Sequence, residues 1–108
     1  MGLKNYLDMT LVYITCKDKK EAETISMQLL RKRLIACANI FPIKSMYRWK
    51  GKIESQKETV ILAKTLKKNF TKIKEEVSRL HSYEIPCILK IGAKANESYD
   101  DWVKKEVK

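Results

Sequence analysis

The sequence is poor in glycine, proline and histidine, which number three, two and one among 108 residues. The glycines stand apart as Gly2, Gly51 and Gly92, so there is no glycine-rich loop to cradle the phosphates of a nucleotide. A Gly-x-Ser-x-Gly motif for a nucleophilic serine is also missing. A nucleophilic dyad of Cys37 with His81 lacks any local motif. We therefore expect a protein that is not an enzyme.

Cysteine and long apolar runs are scarce as well. The three cysteines are an odd number without a Cys-x-x-Cys pair, and residues 1–8 show no signal-peptide pattern. No apolar run approaches the roughly 20 residues that a membrane-spanning helix needs. These features predict a soluble, cytoplasmic protein with reduced thiols and no membrane partner.

Positive charge is in excess, with 23 Lys and Arg against 13 Asp and Glu and a formal net charge of +10. The basic residues are scattered over the predicted helices and interleaved with glutamates, as is typical of a solvated surface. Specific nucleic-acid binding is thus not favoured. Non-specific binding of polyanions stays open, and it should weaken steeply with salt.

The length and the hydrophobic share of 44% fit a single domain over residues 1–108, with an ordered core at about 10–107. A chain this short leaves much of its surface exposed when it folds alone. Association of subunits would bury more of that surface and add stability.

The first half of the chain predicts a strand, a helix and a hairpin. Residues 11–15 are apolar and β-branched, as in a buried strand. Asp18 and Glu21 form a capping-box pattern, in which Glu21 reaches back over the helix start. The hairpin has an extended arm at 36–49, a turn at Lys50-Gly51 and a return arm through 59–65. Pro42 predicts a bulge or an edge in the first arm.

The second half predicts a helix over 67–80, a loop at 81–86, a strand over 87–91 and a final helix capped by Ser98 with Asp101. The order is βαββαβ plus a helix. It indicates an α+β, ferredoxin-like sandwich with both long helices on one face of an antiparallel sheet. The other face would be bare, so we expect a partner or neighbouring subunits to cover it.

Several spaced motifs resemble those of the CutA (divalent-cation tolerance) family. They are Cys37-x-Asn39-Ile40-x-Pro42, Ser45-x-Tyr47-x-Trp49-x-Gly51-Lys52-Ile53-Glu54, Glu58, Lys64-Thr65, His81-x-Tyr83-Glu84-x-Pro86 and Tyr99-x-x-Trp102. The resemblance implies a ferredoxin-like subunit in a homotrimer similar to the PII signalling proteins. It also implies a role in tolerance of divalent cations, copper above all. The aromatic hairpin residues Tyr47 and Trp49 would then lie at the trimer interface.

Four residues are candidate metal ligands: Cys16, Cys37, His81 and Cys87. Imidazole and thiolate suit copper or another divalent cation such as zinc. The structural alternatives are a helix-terminal histidine bonded to carbonyls or Glu84, and small buried cysteines.

In family members with assigned copper ligands, a first-strand cysteine and two consecutive histidines are used. The resemblance matches these positions to Ile14, Leu80 and His81, so one of those ligands is kept. Cys16 lies two residues beyond Ile14 and should share its strand face, which suggests a displaced site. Ser82 and Cys87 also replace the proline and the glutamate that are usual in the family.

A second function class is a PII-like sensor that binds a small anionic ligand between subunits and signals to an unidentified protein partner. The candidate ligand-binding residues are Lys64, Tyr83, Glu84 and Trp102. The alternative for the basic residues, including Arg48 and Lys52, is ion pairing with hairpin and loop glutamates such as Glu54 and Glu58.

Overall fold

Four strands and three α-helices follow one another in the predicted order. The computed structural model describes residues 9–108, so the expectation for residues 1–8 lies outside it. The elements are β1 (Met9–Cys16), α1 (Lys19–Arg31), β2 (Cys37–Trp49), β3 (Lys52–Leu66), a 3-10 turn (Lys67–Asn69), α2 (Phe70–Leu80), β4 (Ile88–Ala93) and α3 (Glu97–Glu106). The strand order is β2-β3-β1-β4 and every pairing is antiparallel. The α+β, ferredoxin-like prediction is confirmed.

The two ends of α1 are fixed by local hydrogen bonds. Asp18 is extended and its carboxylate accepts the Glu21 N–H at 2.9 Å. Glu21 reaches back as expected, although it accepts the N–H of Lys17, one residue before the cap. At the other end Arg33 takes the left-handed conformation, φ 57°, that closes a Schellman motif.

The β2–β3 hairpin is long and regular. Lys50 and Gly51 both have positive φ, 49° and 79°, which suits a two-residue turn whose twist matches the strands. Pairing runs without a break from Cys37 opposite Lys64 to Trp49 opposite Lys52. Pro42 therefore causes no bulge; it is tolerated because β2 is an edge strand.

The main core lies between one face of the sheet and helices α1 and α2. Alternate residues of the central strands point to this face because strand side chains alternate. The side chains that fill it are at most 1% exposed: Val12, Ile14, Cys16, Ile61 and Ala63 from the sheet, and Ala22, Ile25, Leu29, Ile73 and Val77 from the helices. The apolar residues of both helices recur at helical spacing along the sequence, which places them on the side that faces the sheet.

The opposite face of the sheet is mostly open in one chain. Helix α3 covers only one end, where Val103 and Val107 pack with Met9. Beyond it, Phe41, Leu89 and Ile91 remain 38%, 50% and 44% exposed. We call this surface the open face. Its presence confirms the bare sheet face expected from the order of elements.

Two further details concern the helices. The start of α3 was predicted wrongly: Asn96, not Ser98, is the N-cap residue, and its amide donates to the Ser98 hydroxyl at 2.9 Å. None of the helices within residues 9–108 is long and apolar enough to cross a bilayer.

Candidate functional site

Cys16, Glu21 and His81 form a compact cluster of donor atoms, all within 4.8 Å of one another. Cys16 ends β1, Glu21 lies in the first turn of α1 and His81 follows the last residue of α2. These three element ends meet on the helix-covered side of the sheet. Cys16 and the His81 side chain are fully buried and the Glu21 side chain is 8% exposed. We call this group the Cys-Glu-His cluster.

The hydrogen bonds of His81 define its tautomer. The Tyr83 N–H donates to Nδ1 at 3.0 Å, so Nδ1 carries the lone pair. Nε2 therefore holds the proton and donates it to the Thr15 carbonyl at 2.7 Å. The carbonyl contact matches the expected structural role. The carboxylate near the ring is that of Glu21 and not Glu84, and its Oε2 lies 4.0 Å from Nδ1, too far for a hydrogen bond.

Glu21 links the helix start to the loop after α2. Its Oε1 accepts the Lys17 N–H and its Oε2 accepts the Ser82 N–H, both at 2.9 Å. Burial alone would raise the pKa of this carboxyl. The hydrogen bonds from Ser82 and Lys17 outweigh burial and hold the pKa of Glu21 below its ordinary value. The carboxylate is thus charged at neutral pH.

The Cys16 thiol is held in its protonated form. Burial, reinforced by the negative charges of Glu21 and Asp18, raises its pKa to about 12. A buried thiol of this kind is a poor nucleophile. A metal ion could still bind it by displacing the proton, and binding would then strengthen with rising pH.

The other two predicted thiol ligands lie elsewhere. Cys37 is beside Tyr99, whose pKa is raised by burial and by the neighbouring thiol. Cys87 is beside Thr15 and Glu58, where burial first and the Glu58 charge second raise its pKa. Within residues 9–108, the Cys-Glu-His cluster is the only group of three or more potential metal ligands of the Cys, His, Asp and Glu types. Of the four predicted metal ligands, Cys16 and His81 therefore lie in the cluster, whereas Cys37 and Cys87 do not. Glu21 belongs to the cluster but was not predicted from the sequence as a ligand.

A cleft of about 830 Å³ opens on the other side of the sheet, between the β2–β3 hairpin and the loop after α2. Glu58, only 7% exposed, accepts a hydrogen bond from the Tyr83 hydroxyl within it. Burial, then the bond to Glu58 and its charge, raises the pKa of Tyr83. Glu84, Tyr47 and Trp49 also line this cleft. The sequence did not identify Glu58 as a buried acceptor.

The four predicted ligand-binding residues fall into two pairs within one chain. Tyr83 and Glu84 line the cleft. Lys64 instead donates to Asn39 and lies 5.8 Å from the Tyr99 ring, which stacks with Trp102 at 5.5 Å. Lys64 lies six positions beyond Glu58 along β3, which is about 20 Å of strand.

The lowered pKa of Glu21 predicts how the free energy of unfolding depends on pH in acid. In the folded protein the pKa of Glu21 lies below the ordinary 4.5, so the Glu21 carboxylate stabilises the folded state fully above pH 4.5. This stabilisation is lost as the pH falls through the folded pKa. We expect the unfolding free energy of the wild type to drop more steeply below pH 4.5 than that of Glu21→Gln, measured by urea denaturation. Glu23→Gln, at an exposed site of the same helix, is the control. Parallel pH profiles for the wild type and Glu21→Gln would contradict this account.

Known proteins match this chain along nearly its whole length. The family model described as CutA1 divalent ion tolerance protein matches residues 10–106. The divalent-cation tolerance protein CutA of Archaeoglobus fulgidus is 42% identical over 97 residues, which cover 89% of this chain and 95% of that protein. Its counterpart from Thermus thermophilus is 39% identical over 88% of this chain and 94% of its own length.

Solved structures agree with the sequence comparison. A structure described as the periplasmic divalent cation tolerance protein CutA from Archaeoglobus fulgidus superposes with a TM-score of 0.91 at 40% identity, covering 93% of this chain and 99% of that one. CutA1 from Pyrococcus horikoshii gives a TM-score of 0.88 at 38% identity, covering 92% and 98%.

Proposed function

The chain belongs to the family of CutA1 divalent ion tolerance proteins, and we propose that it acts in tolerance by binding a metal ion directly at the Cys-Glu-His cluster. The observation that carries this proposal is the convergence of one sulfur, one nitrogen and one oxygen donor within 4.8 Å at a buried position. Relatives named for divalent-cation tolerance support the general role, and the cluster supports the specific residues.

The donor set fits a borderline or soft ion. Thiolate and imidazole favour zinc or copper, whereas Mg²⁺ and Ca²⁺ prefer sites made of oxygen ligands. In a tetrahedral zinc site, neighbouring donors are roughly 3.4 Å apart. The 4.0 Å between His81 Nδ1 and Glu21 Oε2 needs only a small contraction to reach that spacing. A water molecule can supply a fourth ligand.

The surroundings of His81 also fit a metal ligand. Ligating histidines usually donate their second ring N–H to a carboxylate, a backbone carbonyl or water, which fixes the tautomer and the ring orientation. Here Nε2 donates to the Thr15 carbonyl, which leaves Nδ1, 4.0 Å from Glu21 Oε2, as the nitrogen with the lone pair. Nδ1 would hold an ion between the two side chains in place of the Tyr83 N–H that it now accepts.

A titration with Co²⁺ under reducing conditions tests this function. We expect one ion per chain, an absorption band from charge transfer between the Cys16 thiolate and cobalt, and competition by Zn²⁺ but not by Mg²⁺. Affinity should fall with decreasing pH because the thiol must lose its proton. Absence of the thiolate band at saturating cobalt would contradict the proposal.

We further propose that the working unit is the homotrimer implied by the family resemblance. The open face supports this, since Phe41, Leu89 and Ile91 leave a large apolar surface in contact with water in a single chain. Tyr47 and Trp49, on the same face of the hairpin, would be covered by a neighbouring subunit. Association would also place the cleft of one chain close to the next.

We propose a binding role without catalysis, in a reducing compartment such as the cytoplasm. Burial raises the pKa of the Cys16 and Cys87 thiols, which makes them poor nucleophiles and supports a role without catalysis. All three cysteines are free, which fits a reducing compartment. The proposed compartment differs from that of the Archaeoglobus fulgidus protein, which is described as periplasmic, and cell fractionation would decide the location of this chain. The anion-sensor alternative is not supported by the cleft, whose lining includes Glu58 and Glu84.

A further inference from the structure

Two acceptor atoms of the Cys-Glu-His cluster also hold the loop that follows α2. The N–H of Ser82 donates to Glu21 Oε2 at 2.9 Å, and the N–H of Tyr83 donates to His81 Nδ1 at 3.0 Å. These are the same two atoms that face each other across 4.0 Å, where the ion would bind. We call residues 82–86 the release loop. Its backbone and a bound ion would compete for the same two acceptor atoms.

At His81, the Tyr83 N–H and a metal ion exclude each other. A neutral imidazole has one ring nitrogen with a free lone pair, so Nδ1 either accepts the Tyr83 N–H or coordinates a metal. The conflict is weaker at Glu21, because a carboxylate oxygen has a second lone pair. Repulsion between the positive ion and the Ser82 N–H dipole still opposes both contacts at once. Metal binding therefore removes at least one of the two bonds that hold the loop.

Tyr83 connects this site to the cleft on the other side of the sheet. Its backbone N–H donates to His81, its ring packs against the imidazole at 4.8 Å with the ring planes tilted by 52°, and its hydroxyl donates to the buried Glu58. Four residues of the release loop, from Ser82 to Ile85, form one wall of the cleft. A backbone N–H left without an acceptor in a buried place is costly, so the loop must turn toward water once Nδ1 is taken.

We propose that metal binding at the Cys-Glu-His cluster displaces the Tyr83 N–H from His81, frees the release loop and so opens the cleft. This inference rests on the proposed metal-binding function and adds to it a means by which the protein reports the bound ion. Two states follow: a closed state with the loop bonded to His81, and a loaded state with the ion there instead. The surface that changes is the cleft wall, which a partner can sense.

Coupling between two sites is reciprocal, so weakening the loop at its cleft end must strengthen metal binding. Tyr83→Phe removes the hydroxyl bond to Glu58 and leaves every donor atom of the cluster in place. The variant destabilises the closed state by about one hydrogen bond and leaves the loaded state unchanged. Zn²⁺ should therefore bind roughly three- to tenfold more tightly to Tyr83→Phe than to the wild type. Tyr99→Phe is a matched control, because it removes a partly buried phenol hydroxyl beside Cys37, away from the loop.

The experiment combines Zn²⁺ titration of the three proteins with amide hydrogen exchange of the wild type. We expect tighter binding by Tyr83→Phe, unchanged binding by Tyr99→Phe, and faster exchange at Tyr83 when zinc is bound. Zinc binding with unchanged Tyr83 exchange and equal affinities would overturn this inference while the proposed function stands. No zinc binding by the wild type would overturn both. The exchange measurement decides the question even if a variant folds poorly.

Discussion

Cys16→Ser is expected to weaken Zn²⁺ binding by about 100-fold or more, since even the loss of a group that only hydrogen-bonds to a metal ligand typically costs 10- to 100-fold. Serine is nearly isosteric with cysteine, but its hydroxyl is a far poorer ligand for zinc or copper than a thiolate. The side chain is fully buried beside Glu21 and His81, and neither Cys37 nor Cys87 belongs to the cluster, so no second thiol is in place to take over its role. Isothermal titration calorimetry in reducing buffer measures the change.

The control for this experiment is Cys37→Ser. Cys37 is also a free cysteine, and it lies beside Tyr99 at the other end of the sheet. Its replacement should leave zinc affinity unchanged. Equal losses in the two variants, or no loss in either, would show that the cluster is not the binding site. Thermal unfolding without metal checks that Cys16→Ser remains folded.

Leu89→Lys is expected to dissociate the proposed homotrimer into single chains. Leu89 lies on the open face opposite Tyr13 and is 50% exposed in one chain. An unpaired ammonium buried in an apolar contact between subunits is strongly unfavourable. Because the change is repeated in each subunit, we expect at least about 100-fold weaker association, which corresponds to only about 3 kcal/mol in all. Sedimentation velocity or native mass spectrometry measures the assembly.

Met27→Lys is the matched control for the open face. Met27 is 48% exposed, close to the value for Leu89, but it lies on α1 away from the open face. This variant should keep the assembly of the wild type. A wild type that is monomeric at micromolar concentration, or equal dissociation of both variants, would contradict the proposed interface.

Most of the fold follows from local patterns in the sequence. The i, i+3 and i+7 spacing of apolar residues fixes the buried face of α2, and the Lys50-Gly51 step fixes the hairpin turn. The start of α3 was predicted wrongly because Asn96 and Ser98 are both good caps, and only the path of the chain after β4 selects Asn96. Local chemistry offered both choices.

The site was only partly predictable because it depends on contacts between distant segments. Cys16 and His81 could be singled out as a thiol and the one histidine, and the structure does bring them together. Glu21 was read as a capping residue, since its bond to Ser82, 61 residues away, leaves no local pattern. Cys37 was not separable from Cys16 until the strand register placed it opposite Lys64, on the side of the sheet away from α1 and α2 and beside Tyr99 of α3.

Zinc K-edge X-ray absorption of the one-to-one zinc complex tests the central claim most directly. If the ion binds at the Cys-Glu-His cluster, its first shell contains one sulfur at about 2.3 Å together with nitrogen and oxygen donors at about 2.0–2.2 Å. The sulfur should disappear in Cys16→Ser and persist in Cys37→Ser. A first shell made only of nitrogen and oxygen in the wild type would contradict the account, because the ion would then lie outside this cluster.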